Sequence, residues 1–247
     1  MKPILISFLC ASSFYCMQTQ AQQITELVVG TEPAFAPFEY VDEKSGELKG
    51  FDIEIMNAIG KTLNIEIKWV PLPFDGIVPG VVSGTLDAAI SGLVKNPERQ
   101  KRVAFTNDYY VVGQSIMVKK ENKDITGFDS LENKRICVQI GTVGADKANA
   151  TKGAKVFTYN SAPEAYLELN KGGCDAFITG RTVHQFYLAQ EKNTDFKLLD
   201  EIYEAQGLGI AVNKNNTEVL NLLDDGILKI KENGMYDDIY NKWFKSE

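Results

Sequence analysis

Histidine is nearly absent from this chain, and that absence narrows the chemistry open to it. His184 is the one histidine among 247 residues. Ser-His-Asp and Cys-His catalysis both need an imidazole beside the nucleophile, and a single histidine is a poor basis for either. Cysteine is scarce as well: Cys10, Cys16, Cys137 and Cys174 are the four present. With two of them near the N-terminus, the remaining pair and His184 make a poor zinc set, so no metal site is expected. Basic charge is not in excess. Lys and Arg number 26 against 33 Asp and Glu, a net charge of −7. That balance argues against nucleic acid or an anionic membrane surface as partner, because both need a basic face. No stretch reaches the ~18 consecutive apolar residues of a membrane-spanning helix. The sequence has no G-x-S-x-G elbow, no Walker loop and no G-x-G-x-x-G after a strand. Carboxylates are numerous, but no pair is placed by pattern for acid/base work. Neither a cofactor nor a catalytic residue is expected.

The N-terminus differs from the remainder. Lys2 gives a short positive region, Ile4 to Tyr15 is mostly apolar, and Thr19-Gln20-Ala21 supplies small residues at cleavage spacing. The order fits a secretory signal over residues 1–21, with the mature chain starting near Gln22. The sequence before Cys16, Ser13-Phe14-Tyr15, lacks the pattern of a lipoprotein box. Export would place the protein in an oxidising compartment, where Cys137 and Cys174 are free to pair.

Beyond the leader, short apolar runs alternate with helical patterns. Strands are expected at Glu26–Thr31, Glu66–Val70 and Ala88–Ser91, with helices at Asp52–Leu63 and Gly76–Ser83 between them. A second unit repeats the pattern: strands Arg135–Ile140, Lys155–Tyr159 and Ala176–Thr179, each followed by a helix, at Gly144–Ala150, Pro163–Lys171 and Thr182–Glu191. Two long extended stretches, Tyr109–Lys119 and Leu208–Val212, separate the units. Helices at Glu218–Asn233 and Tyr236–Phe244 close the chain. The reading is an α/β protein of two lobes, each a mostly parallel sheet flanked by helices, joined by two strands. Lobe one takes residues 22–108 and 209–247, lobe two 114–203, and the hinge strands are 109–113 and 204–208.

Ligands of open parallel sheets sit beyond the carboxyl ends of the strands. The segments there are chemically distinctive. Glu32 to Phe38 reads "EPAFAPF", one acid with Phe35 and Phe38 in a proline-stiffened turn, and Phe74 follows another strand. Aromatic faces of this kind wall a pocket and exclude water. Ser91-Gly92-Leu93-Val94 ends a strand with free backbone groups, and Arg99 follows at the start of a helix. Free N–H groups, a helix N-terminus and an arginine together suit a carboxylate. Gly141-Thr142-Val143-Gly144 is a matching turn in the second unit. Lys101 and Arg102 read as a solvated helix face.

These segments, with "GFDIEI" at Gly50–Ile55, "FDGIVPGV", "LDAAISGL", "PERQKRVAFTNDYY", "VQIGT" and "ENGMYDDIYNKWF", resemble the periplasmic polar amino acid-binding proteins of bacterial ABC importers (solute-binding protein family 3). The nearest types are the glutamine-, arginine- and lysine/arginine/ornithine-binding members. The resemblance covers nearly all of the mature chain, in order. It implies a type II periplasmic-binding-protein fold that closes on an amino acid and passes it to a membrane permease. It also implies roles. Arg99 would grip the ligand carboxylate, helped by backbone N–H groups of Val94 and Val143. The Gly92 carbonyl would take the ammonium. Phe35 and Phe74 would sandwich the ligand, Glu32 would face its side chain, and Gln139 and Thr142 would complete the pocket.

Two positions depart from the family pattern. Val94 stands where a hydroxyl residue is usual. Gly180, in "DAFITGRTV", stands where an Asp usually pairs with the ligand ammonium. The acid at Glu32 favours a basic, arginine-like ligand, since a guanidinium pairs well with a carboxylate. Glutamine is the alternative, and so is a diverged member, sensor or dehydratase-like, that takes a carboxylate without an α-amine. Glu39 and Asp75 are open between cleft and solvent. A 2-1-3 strand order in lobe two would bring Cys137 and Cys174 to neighbouring strands, and whether they pair stays open. A monomer is expected.

Overall fold

Six residues, Glu26–Thr31, form β1, the strand about which a first sheet is built. It is seen in a computed structural model that describes residues 24–190 and 195–245. The expected leader lies outside the described residues. After β1 come β2 (Ala34–Phe35), β3 (Glu39–Val41) and β4 (Leu48–Lys49), which pair antiparallel in a small sheet of their own. Next are α1 (Phe51–Leu63), β5 (Glu66–Pro71), α2 (Phe74–Ser83), β6 (Ala88–Ala89), α3 (Pro97–Gln100) and β7 (Val103–Phe105). The long strand β8 (Tyr110–Lys119) leads into a second run: β9 (Arg135–Gln139), α4 (Val143–Ala150), β10 (Lys155–Tyr159), α5 (Ala162–Lys171), β11 (Ala176–Gly180), α6 (Arg181–Gln190), β12 (Phe196–Leu198) and β13 (Tyr203–Leu208). The chain returns through β14 (Ala211–Asn213), α7 (Thr217–Glu232) and α8 (Met235–Phe244).

The first sheet runs β5-β1-β6-β14-β7. The second runs β10-β9-β11-β8-β12, with β13 also on β8. The parallel strands of each sheet lie in the order second, first, third, the doubly wound arrangement that alternating strands and helices predict. The fold is the two-lobed α/β type. Central β9 and β11 are buried almost throughout, whereas edge strand β10 exposes Lys155, Phe157 and Thr158. In the first lobe, α1 lays Phe51, Ile55, Met56 and Ile59 into the core beside α7 and α8, and Asn64 ends the helix in a left-handed conformation at φ 56.

The short strands β2, β3, β4, β7 and β12 were not anticipated, because two or three residues carry no readable period. Leu208–Val212, expected as one extended stretch, is interrupted between β13 and β14. Leu208 completes the pairing with Tyr110 in the second sheet, while Ala211 opens a pairing with Phe105 in the first. Ile210 lies between them and is held by Thr106, whose Oγ1 accepts from Ile210 N–H at 2.9 Å and whose N–H donates to Ile210 O at 3.0 Å. Other element ends differ from expectation by one or two residues, the ordinary uncertainty of boundaries. The largest shortening is at Ala88–Ser91, where only Ala88–Ala89 forms the strand.

Cys137 on β9 and Cys174 beside the start of β11 are bonded to each other, with Cα atoms 5.8 Å apart. Both are buried among Met117, Tyr166 and Phe177. The pairing that the sequence left open is therefore present. The bond closes a sequence separation of 37 residues, and removing such a constraint from the unfolded chain costs up to about 4 kcal/mol of stability. Urea unfolding with and without reductant, or of the double variant Cys137→Ala, Cys174→Ala, should show a midpoint lowered accordingly. Equal midpoints would mean that the bond stabilises nothing.

Candidate functional site

The turn after β6 organises the first wall. Gly92 has φ 54, and a Cβ there would lie 3.0 Å from the Phe35 ring, so both its backbone and its neighbour require glycine. Its N–H donates to Asp52 Oδ2 at 2.7 Å. The preceding Ser91 Oγ donates to Glu39 Oε1 at 2.9 Å and accepts from Glu32 N–H at 3.0 Å. Asp52 Oδ2 also accepts from the Tyr109 hydroxyl at 2.8 Å. Glu39 and Asp52 have no exposed surface, and Glu39 Oε2 and Asp52 Oδ1 find no other donor. One proton shared between the two carboxyls satisfies both oxygens. Burial, with the neighbouring Asp52 charge, holds Glu39 well above the usual carboxylate range, and burial lifts Asp52 to about 6. Glu39 thus faces neither solvent nor ligand. Asp75 lies in the first turn of α2.

Arg99 is buried, at 8% exposure. The sequence placed it at a helix start. It lies instead in the third of four residues of α3, a helix of one turn whose dipole is small. Asn96 Oδ1 caps that turn by accepting from Arg99 N–H at 2.8 Å. The guanidinium is held by backbone carbonyls: Nη1 donates to Val94 O at 2.8 Å, and Nη2 donates to Gly141 O of the other lobe at 3.0 Å. Of its five N–H donors, three remain. Its Cζ lies 5.2 Å from the centre of the Phe74 ring. Burial lowers its pKa to about 10, and it is still a cation at neutral pH. Lys101 and Arg102 are exposed, and Lys101 pairs with Glu98 at 2.6 Å.

Val94 meets Leu208 in an isolated antiparallel bridge. The bonds flanking it run from Lys95 N–H to Gly207 O and from Gly209 N–H to Leu93 O, so Val94's own N–H stays outside the ladder. In the second lobe Thr142 caps α4, its Oγ1 accepting from Ala145 N–H at 3.2 Å and donating to Gln139 O at 2.7 Å. The first N–H groups of that helix, at Val143 and Gly144, point beyond its end.

A small cavity of about 30 Å³ lies between these walls. Phe35, Phe38, Phe74, Gly92, Val94 and Arg99 line it from the first lobe; Gln139, Thr142, Val143 and Gly180 line it from the second. These are the residues expected from the sequence, apart from Glu32. Glu32 is 5% exposed and sits next to the wall, against Gln139. Glu32 Oε2 and Gln139 Oε1 are both buried without a partner. Burial pushes the Glu32 pKa up to about 7, against the lowering effect of Gln139 and the Ala34 N–H. Phe38 belongs equally to the core, packing on Phe51, Tyr110 and Phe244.

Sequence reasoning missed Val112, Gln114, Thr179 and Leu208, which also line the cavity. Val112 and Gln114 lie on β8, which had been read as a crossing rather than a wall. Their i, i+2 spacing put them on one strand face and was the available signal. Chemically, the cavity offers a buried cation beside unused N–H groups, two aromatic faces, and Gln139 in its wall with the Glu32 carboxyl behind it. Among the described residues no group of three or more His, Cys, Asp or Glu is placed to hold a metal, and no helix is long and apolar enough to cross a membrane.

Comparison with known proteins gives consistent likenesses. The family model for bacterial extracellular solute-binding proteins, family 3, matches residues 27–246. The chain is 34% identical over 248 residues to the arginine-binding periplasmic protein of Mannheimia haemolytica, covering 98% of each. It is 28% identical over 254 residues to the histidine-binding periplasmic protein of Escherichia coli (strain K12), covering 99% of this chain and 97% of that one. Among solved structures, an ancestral arginine-binding protein bound to arginine matches with a TM-score of 0.85 and 38% identity, over 89% of this chain and 98% of that chain.

The position of Glu32 has a consequence for stability. Its ordinary value is 4.5 and its value in the fold about 7. The stabilising contribution is therefore full below the lower value and lost as the pH rises through the higher one. His184, pushed down to about 3 by burial, loses its contribution in the opposite direction, as the pH falls below 6.5. Comparing the protein with Glu32→Gln at each pH isolates the first effect. From about pH 5 to about pH 8 the variant should gain roughly 2 kcal/mol relative to the parent. Parallel stability curves in urea would show that Glu32 titrates normally.

Proposed function

The chain belongs to the bacterial extracellular solute-binding proteins, family 3, and we propose that its cleft captures a basic amino acid, with arginine first, for delivery to an ABC importer permease. The observation that carries the reading is Arg99, buried at the cavity with three donors in hand beside the N–H groups of Val94 and Val143. That set matches a carboxylate. Phe35 and Phe74 cover the stem of the ligand, and Gln139 in the wall, with the Glu32 carboxyl behind it, receives its cationic end. A cation beside Glu32 favours the ionised carboxylate and offsets the effect of burial. The names of the arginine-binding relatives support the same ligand class.

In this reading the protein performs no chemistry. It closes about β8 and β13, and the closed form is what the permease recognises. It acts in the periplasm as a monomer, after loss of residues 1–21. Gly92 O and the residues of the second lobe place the ammonium end.

The test uses protein stripped of ligand by unfolding and refolding with its disulfide intact. It is then screened by thermal shift against the common amino acids and ornithine. Arginine at 100 times its Kd should add about 2.7 kcal/mol of stability. In calorimetry, Arg99→Ala should weaken its binding by about 100-fold, the effect of removing one partner of a buried charge pair. A panel in which basic amino acids give no shift would overturn the ligand assignment. Undiminished binding by Arg99→Ala would overturn the role of that residue.

A further inference from the structure

An amino-acid ligand brings an α-ammonium, and among the described residues of the second lobe no carboxylate lines the cavity to meet it. Gly180, the last residue of β11, presents no side chain there. A Cβ at that position would lie 3.1 Å from Val112 Cγ2, so the neighbouring strand β8 already occupies part of the space. β8 and β11 are antiparallel, and Gly180 stands directly opposite Gln114. Opposed residues of an antiparallel pair present their side chains to the same face. The side chain of Gln114 therefore stands over the patch that Gly180 leaves bare.

Gln114 is an unusual residue in that position. It lines the cavity, is 6% exposed, and has no side-chain hydrogen bond among the described residues. The amide atoms of Gln114 are not fully enclosed by protein, so they stay open to a ligand in the cavity. Among its polar neighbours in the wall, Thr142 and the Gln139 amide nitrogen are engaged, while Gln139 Oε1 has no partner. Thr142 Oγ1 both donates and accepts, and Gln139 Nε2 donates to Asn160 O at 3.0 Å. Across the cavity, the N–H of Gly92 is held by Asp52, and its carbonyl is the acceptor that the first lobe offers.

We propose that Gln114 is a specificity-determining residue of this cleft, its Oε1 accepting from the ligand's α-ammonium above Gly180 while Gly92 O accepts from the opposite side. The inference rests on the amino-acid reading above and names the group that makes the ligand an amino acid rather than a bare carboxylate. A neutral amide serves because an ammonium needs acceptors with the right direction, and a hydrogen bond with one charged partner is stronger than a neutral one.

Two probes separate the ammonium from the rest of the ligand: L-arginine, and δ-guanidinovalerate, which keeps the carboxylate and guanidinium but lacks the α-amine. Calorimetry on the parent, Gln114→Leu and Gln114→Glu gives the ratio of the two affinities. Gln114→Leu should weaken arginine by about tenfold or more and leave δ-guanidinovalerate within about twofold. Gln114→Glu, which keeps the shape and adds a charge, should raise the preference for arginine by about tenfold. It also keeps the test decisive if the leucine variant folds poorly. Ligand-free melting curves identify folded variants. A parent that binds no α-amino acid overturns the proposed function and this inference together. A parent that binds arginine, with a preference over δ-guanidinovalerate that neither variant changes, overturns this inference alone.

Discussion

Asp52 has no exposed surface, and a single oxygen of its carboxyl holds two donors from distant parts of the chain, Gly92 N–H at 2.7 Å and Tyr109 Oη at 2.8 Å. A carboxyl so deeply placed is costly unless its oxygens are met. Here the donors are the turn that shapes the cleft and the residue that precedes the crossing strand β8. The start of α1, the end of β6 and the exit toward the second lobe are thereby fixed relative to one another. Glu39, its carboxyl held toward the neutral form beside Asp52, meets Ser91, and Ser91 meets the backbone of Glu32. One buried network thus runs from the core to the acid at the cavity wall. The left-handed Gly92 is its outermost link, and that conformation sets where the Gly92 carbonyl points.

Contacts between the lobes add a second constraint. Arg99 Nη2 reaches Gly141 O of the second lobe at 3.0 Å, and the Tyr40 ring of the first lobe lies 6.4 Å from the Phe186 ring of the second. Phe35 packs against the cores of both lobes. These contacts are made where the lobes meet, and a ligand shifts the lobes only by its differential affinity for the two arrangements. Its carboxylate meets the three remaining donors of Arg99, so it extends the bridge across the cleft rather than competing with it.

How much of this was legible in the sequence varied with the length of the signal. The strand and helix alternation fixed both doubly wound sheets, since elements of five residues or more carry a period. Strands such as β2 and β7 carry none, and they appear only through pairing partners distant in the chain. In the site, turns after strands pointed to Gly92, Arg99 and Thr142, because glycine, arginine and a helix cap are locally distinctive. Gln114 was invisible for the opposite reason. It stands in the middle of an apolar strand, and its meaning comes from the residue across the ladder. Glu39 and Asp52 likewise give no local sign that they share one buried site. The disulfide was intermediate: sheet order made it reachable, and only coordinates could join the two sulfur atoms.

The electrostatics of the cavity follow from where its charges are kept. Among the described residues Arg99 is the one ionisable side chain lining it, and the nearby carboxyls are set behind the wall. Burial holds those acids toward their neutral forms, most plainly Glu32 at about 7. An acid with a pKa of about 7 is only partly ionised at neutral pH and becomes fully ionised as a cation approaches. The work of ionising it falls on the binding step. That lowers affinity for any ligand lacking a cationic end, which gains nothing from the charge it would have to create. Selectivity for a basic ligand thus needs no permanent negative charge in the cleft. It needs a carboxyl whose neutral and ionised forms lie close in energy, at the point where the ligand's cation arrives.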